Sequence, residues 1–172
     1  MLSEKVEKAF NDQIQAETYS AYLYWSMAAY FDARNLSGFA SWMRVQAQEE
    51  MTHALKFYHF VNERGGRVTL SAIQAPPAEW DSPLAAFEAV YAHEQKVTSL
   101  IHSLVDLAAA EKDHAANAFL QWFVTEQVEE EAGADEVVQK LRLMREAPGG
   151  LFMLDQQLGR RSFHAPSGSE ET

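Results

Sequence analysis

Glu49-Glu50-Met51-Thr52-His53 is the stretch on which the fold turns. Read as helix, Glu50 and His53 lie three residues apart and share a face. Following that face at 3–4 spacing gives Leu36, Ala40, Met43, Ala47, Glu50, Ala54, Phe57 and Val61. This is the apolar stripe that a helix turns to a core, with a carboxylate in its middle and an imidazole beside it. An unpaired carboxylate is costly to bury, so something positive should meet Glu50 inside. A single case reads equally well as a buried salt bridge or a misjudged face. Here the same interruption recurs on three other segments.

Ser3 is a suitable N-cap, with Glu4 in the first turn. The seam of the helix it starts is Phe10, Ile14, Glu17, Ala21, Tyr24, Ala28 and Phe31. Asn35, Leu36 and Ser37 break the run. Ser37 is the expected cap of the second helix, which runs to about Arg64 and stops on Gly65-Gly66. Ser82-Pro83 is an N-cap followed by an N1 proline. The third helix carries Phe87, Val90, Glu94, Val97, Ile101, Leu104 and Ala108. After a short turn at Glu111, Lys112 and Asp113, the fourth seam reads Ala116, Leu120, Phe123, Gln127, Glu130, Ala134, Val137, Leu141 and Met144. Gly133 lies inside this helix at a cost of about 1 kcal/mol, which predicts a bend or a close contact. Pro148-Gly149-Gly150 ends the helix, and a short fifth helix carries Leu151, Leu154 and Leu158 on one side.

Residues 67–82 have no helical period and contain Pro76 and Pro77. So long a connection inside one domain is unusual, and a crossover explains it. A helix of about 28 residues is roughly 42 Å long, an extended segment of this size can run back along it, and the two helices so joined lie parallel. The expected fold is all-α: a four-helix bundle with one long crossover between helices 2 and 3, plus a short fifth C-terminal helix. The domain is expected to span residues 1–160, and the Ser-, Gly- and Glu-containing tail over 161–172 is expected to be disordered.

The composition agrees. The 172 residues are 47% hydrophobic, enough for one domain with a sizeable core. The absence of cysteine excludes disulfides, thiolate zinc sites, iron–sulfur clusters and thiol nucleophiles. A net charge of -11, from 25 acids against 14 bases, argues against nucleic acid and anionic membrane as partners and favours cations. The N-terminus has no uninterrupted apolar segment of the signal-peptide kind, and no run of about 18 apolar residues is present to span a bilayer. A cytoplasmic protein is expected.

Each interruption falls near the midpoint of its helix. Glu17, Glu50, His53, Glu94, Gln127 and Glu130 should therefore converge at half-height in the bundle. Four carboxylates there cannot all ionise unpaired, and no lysine or arginine sits on these seams. Divalent metal is the remaining answer. Four acids and one imidazole can hold two ions with a carboxylate between them, and hard oxygen ligands with an imidazole suit iron or manganese.

On these residues the chain resembles the ferritin family, specifically its non-haem bacterial and archaeal members. The resemblance covers about residues 3–160 and rests on Glu17 with Tyr24, Glu49-Glu50-x-x-His53, Glu94, and Glu126-Gln127-x-Glu129-Glu130. It implies that Glu17 and His53 bind a first iron, that Glu50 bridges, and that Glu94 and Glu130 hold a second. It implies that Gln127 lies in or just outside the ligand set, and that Tyr24 hydrogen-bonds near the site and can supply an electron. Glu49, Glu126 and Glu129, together with Glu130, match a third iron site nearby, and read alone they are equally well solvated surface acids. The activity implied is ferroxidase: Fe(II) oxidised by O2 or hydrogen peroxide, with ferric mineral stored in a homo-oligomeric cage, commonly a 24-mer. Trp25, Tyr30, Trp42 and Trp122 suggest contacts between subunits, or equally a large core.

Related proteins fit less well. Met51 matches the methionine that ligates haem in bacterioferritins, but those proteins carry a second Glu-x-x-His on the fourth helix, where this chain has Gln127 and Glu130. Haem is therefore not expected. Rubrerythrin-like peroxidases need cysteine ligands. Ribonucleotide reductase radical subunits need a longer chain. The small DNA-protecting relatives place metal between subunits and lack a fifth helix. A non-catalytic cytokine-like bundle would leave four core carboxylates without a reason.

Overall fold

The computed structural model describes residues 2–144, 147 and 149–163. Among these there are five helices and no strand: α1 (Glu4–Asp32), α2 (Ser37–Glu63), α3 (Pro83–Ala110), α4 (His114–Leu143) and α5 (Gly150–Leu158). The tail expected beyond residue 160 lies mostly outside the described residues. Its first member, Arg161, is described and bonded to α2, so the packed chain extends past the boundary drawn from composition.

The helix starts follow local chemistry. Ser3 Oγ accepts from Val6 N (3.4 Å), Ser82 Oγ from Ala85 N (3.0 Å), and Asp113 Oδ1 from Ala116 N (2.9 Å). Asp113 also takes a two-pronged contact from Arg64 at 3.0 and 3.1 Å, which pins the end of α2 to the start of α4.

Ser37 does not cap α2. The helix begins at Ser37 itself, and no side chain at its N-cap position bonds to it. The cap comes from a distance: Asp155 Oδ1, on α5, accepts from Gly38 N (2.8 Å) and Phe39 N (3.0 Å). A carboxylate suits the positive end of a helix better than a hydroxyl does. The close approach needs glycine, because a Cβ at position 38 would stand 1.7 Å from the Asp155 carbonyl oxygen.

The crossover follows α1 from start to end. Asn11 bonds to Arg67 O and Thr69 N, Gln15 to Ala72 O, Ser26 to Pro77 O, and Arg34 to Glu79. It thus delivers Pro83 to the end of the bundle where α2 began, and α2 and α3 run parallel as expected. Lys5 at the start of α1 meets Glu111 at the end of α3, at 2.9 Å, as the antiparallel pairing of those two requires.

The apolar core is divided in two. One cluster gathers Met27, Phe31, Phe39, Met43, Phe87 and Leu154 among others. The other gathers Phe10, Ile14, Phe57, Ile101, Leu120 and Phe123. In the second, Phe57 packs on Phe123 with centroids 4.4 Å apart, and edge-on to Phe10 at 5.2 Å. Between the clusters lies a buried polar layer.

Two local expectations are revised, and one left open is divided. Leu151 is 40% exposed, while Leu154 and Leu158 are buried, so the fifth helix packs by two leucines and not three. Gly133 lies in an unbroken α4, and a Cβ there would meet nothing within 4 Å, so there is no close contact to explain it. Of the four large aromatics, Tyr30 and Trp42 belong to the core, Trp122 packs partly buried against it, and Trp25 is 52% exposed.

Candidate metal centre

The polar layer is made of the seam residues. Glu17 comes from α1, Glu50 and His53 from α2, Glu94 from α3, and Gln127 and Glu130 from α4, and none is more than 8% exposed. Similar helix lengths, 27 to 30 residues, bring the four midpoints to one level.

Two ligand clusters form. Glu17, Glu50 and His53 offer atoms all within 4.8 Å of one another, and so do His53, Glu126 and Glu130. His53 thus faces both. Its Nδ1 lies 3.5 Å from Glu50 Oε2, and its ring is held edge-on by Trp122 and Phe123. Glu94 belongs to neither cluster. It accepts a short hydrogen bond from the Tyr24 hydroxyl and a longer one, 3.3 Å, from Gln127 Nε2.

Three buried amides hold the acids in place. Gln13 Nε2 donates to Glu17 Oε1 at 2.8 Å. Gln46 Nε2 donates to Glu130 Oε2 at 2.6 Å and to Glu50 Oε1 at 3.3 Å. Gln127 completes the set on Glu94. Gln13 and Gln46 lie off the seams traced in the sequence and were not identified there. Each stands four residues before its acid, a spacing at which a glutamine reaches a carboxylate on the next turn, and that spacing was the available signal.

Glu17 Oε2 is buried with no hydrogen-bond partner. An uncommitted carboxylate oxygen in an apolar bundle is costly, and a cation is the partner that would satisfy it. The electrostatics agree. Burial, then the charge of Glu50, pushes the Glu17 carboxyl up to about 8. Burial, then the charge of Glu130, pushes Glu94 to about 8. Burial, with Glu94 and Glu130 beside it, holds Glu50 well above the ordinary range. Tyr24 is likewise raised well above its usual value by burial and by Glu94. These carboxyls cannot share the waist as free anions, and a divalent ion would let them ionise. The donor set therefore fits hard divalent cations.

At the edge of the waist, the partly buried Glu126 joins Glu130 and His53, while Glu129 is exposed. Glu49 is half-buried and paired with Arg161. The four acids expected to share a third site line one cleft, but only Glu126 and Glu130 come together tightly with His53. Met51 is only partly buried on α2.

The chain matches the family model described as a ferritin-like domain over residues 7–144. It is 48% identical over 161 residues to a "bacterial non-heme ferritin" of Bacteroides fragilis, covering 94% of this chain and all of the relative. It is 37% identical over 163 residues to a protein of the same name from Staphylococcus aureus, covering 95% of this chain and 98% of that one. Among solved structures, an open-pore ferritin from the archaeon Archaeoglobus fulgidus superposes with a TM-score of 0.93 at 59% identity, covering 94% of this chain and all of that one. An engineered closed form of the Archaeoglobus ferritin gives 0.94, also at 59%, with 95% and full coverage.

Proposed function

The chain belongs to the ferritin family and is an iron-storage protein, and from that premise we propose how its own residues handle iron as a substrate. Glu17 and His53 take one Fe(II), Glu94 and Glu130 take a second, and Glu50 stands between them. Each ion gives up one electron, and the pair with two protons takes O2 to hydrogen peroxide, or hydrogen peroxide to two waters. The carboxylates favour the product, because anionic oxygen holds the more highly charged ion better. Metal entry displaces the protons that Glu17 and Glu94 keep at neutral pH, a coupling general to carboxylate sites. Gln13, Gln46 and Gln127 fix the ligand oxygens beforehand, so the ions meet a preformed site. Tyr24, whose hydroxyl donates to Glu94, is placed to give the oxidant one electron in place of one from iron, its proton passing to that carboxylate. Glu126 and Glu130, with His53, offer a third iron its first foothold, and Glu49 and Glu129 stand on the route out.

The single observation that carries this reading is the Glu17–Glu50–His53 cluster with its uncommitted oxygen. We place storage in a hollow shell of copies of this chain in the cytoplasm, and exposed apolar side chains supply candidate contacts. Tyr22, Trp25 and Leu70 lie on α1 and the crossover, and Phe152 and Met153 on α5. Among the described residues, no helix is long and apolar enough to cross a membrane.

The test is Glu94→Ala, followed by stopped-flow absorbance after mixing with Fe(II) in air. The loss of a positioned ligand should slow the first turnover at least about tenfold. An unchanged rate would remove Glu94 from the centre, and with it the two-iron assignment.

A further inference from the structure

A cleft of about 350 Å³ opens beside the waist, lined among others by Trp42, Glu49, Glu126, Glu129, Glu130 and Arg161. Its acids come from α2 and α4, whereas its arginine comes from the segment after α5, more than a hundred positions away in sequence from its partners. Arg161 Nη1 donates to Gln46 Oε1 at 2.8 Å. Nη2 makes a short contact with Glu49 Oε2. The guanidinium carbon lies 4.6 Å from the Trp42 ring centroid. Two directed bonds and a stacking face fix the head group in one orientation. The other cation lining the cleft, Lys140, is already paired with Glu136 at 2.5 Å.

The consequences fall on Glu49 and Gln46. Glu49 is absent from the cluster formed by its neighbours His53, Glu126 and Glu130, and its carboxylate is committed to Arg161 instead. Gln46 is fully buried. With its oxygen held by Arg161, its Nε2 must point inward, and there it bonds Glu130 and Glu50. One guanidinium thus sets the direction of an amide inside the centre and occupies an acid at its mouth.

We propose that Arg161 is a resident counter-cation of this cleft, a positioning residue that withholds Glu49 from metal until an arriving divalent ion displaces it. The proposal rests on the iron-handling reading above and adds a competitor to it. An ion entering the cleft exchanges with the guanidinium for Glu49, and the freed arginine swings out on its own segment. The outer position is therefore weaker than its count of acids suggests, which suits a site that iron must leave as well as enter.

The test is anaerobic calorimetric titration of the assembled full-length protein with Fe(II), comparing wild type with Arg161→Ala, Arg161→Lys, and Arg161→Ala combined with Glu49→Gln. Circular dichroism confirms folding in each. Arg161→Ala should tighten the weakest class of sites by roughly tenfold, the scale set by one charge-assisted hydrogen bond no longer broken on binding. Adding Glu49→Gln should cancel that gain, and Arg161→Lys should fall between wild type and Arg161→Ala. The tight sites should keep their stoichiometry throughout. If outer-site affinity in folded Arg161→Ala is unchanged or weaker, Arg161 only anchors the chain end and the proposal is overturned. If wild type takes up no Fe(II) at all, the functional reading fails and the proposal falls with it. An Arg161-independent outer site beside intact tight sites sinks the proposal alone.

Discussion

Replacing Glu17 with glutamine should stabilise the metal-free protein at neutral pH while it abolishes iron oxidation. In the folded chain the Glu17 carboxyl is pushed up to about 8, against an ordinary value of 4.5. At pH 7 the folded protein therefore carries a proton there that the unfolded chain has released. Taking it up across the interval from 4.5 to 7 costs about 3 kcal/mol at roughly 1.4 kcal/mol per pH unit. The folded state binds more protons over this interval, so wild-type stability falls as pH rises from about 4.5 towards 8. The Glu17→Gln side chain needs no proton, can still accept from Gln13, and turns an NH2 donor towards Glu50. Thermal midpoints of demetallated protein, at one subunit concentration and from pH 4.5 to 8, are the assay. The variant should match wild type at the acid end and exceed it by several degrees at pH 7.5. Its slope with pH should be smaller but not zero, because Glu50 and Glu94 still titrate high. Saturating Zn(II) should reverse the order, since wild type keeps the ligand and the variant does not. A variant less stable than wild type at pH 7.5 without metal, or one with an unaltered slope, would refute the view that the waist is strained in the absence of cations.

Two further outcomes test the scaffold. Asp155→Ala leaves Gly38 N and Phe39 N without their shared acceptor and should cost about 2–4 kcal/mol; hydrogen exchange should quicken at these two amides and through α5, with the Fe(II) stoichiometry of the tight sites retained. Gly133→Ala adds a Cβ into open space within a helix and should raise stability by about 0.5–1 kcal/mol, read as a higher denaturation midpoint.

The helices and the waist were legible because both depend on periodicity. Four seams at 3–4 spacing, each with an acid near its middle, place Glu17, Glu50, Glu94 and Glu130 together without any long-range contact being known. The parallel arrangement of α2 and α3 followed from the length of the crossover alone. The parts that stayed hidden depend on tertiary approach. Asp155 caps a helix that begins more than a hundred residues earlier, and Ser37 looked like the cap because local sequence is blind to such partners. Arg161 sat in a segment whose composition suggested disorder, and its bonds to Gln46 and Glu49 exist only once α5 has docked. Gly133 looked like a packing site because a helical glycine usually has a reason. The structure instead leaves it bare beside the acidic cleft.

The choice of glutamine around the centre has a physical logic that lysine would defeat. A carboxylate layer sandwiched between two apolar clusters must be held in position before metal arrives, or the bundle would spend its packing energy collapsing onto it. A lysine or arginine at Gln13 or Gln46 would hold the acids firmly, but as a permanent charge it would compete with every entering cation, and expelling it from a buried site would be costly. A neutral amide fixes one oxygen of a carboxylate and leaves the other free, as at Glu17, where Oε1 is held and Oε2 is open. Arg161 obeys the same logic from the other side. Its charge is placed at the cleft, where Glu49 and the guanidinium keep some contact with solvent and exchange is cheaper. The gradation runs from neutral donors inside to a charged donor at the mouth. On the proposed reading, it would let the waist hold Fe(II) tightly while the cleft passes iron onward.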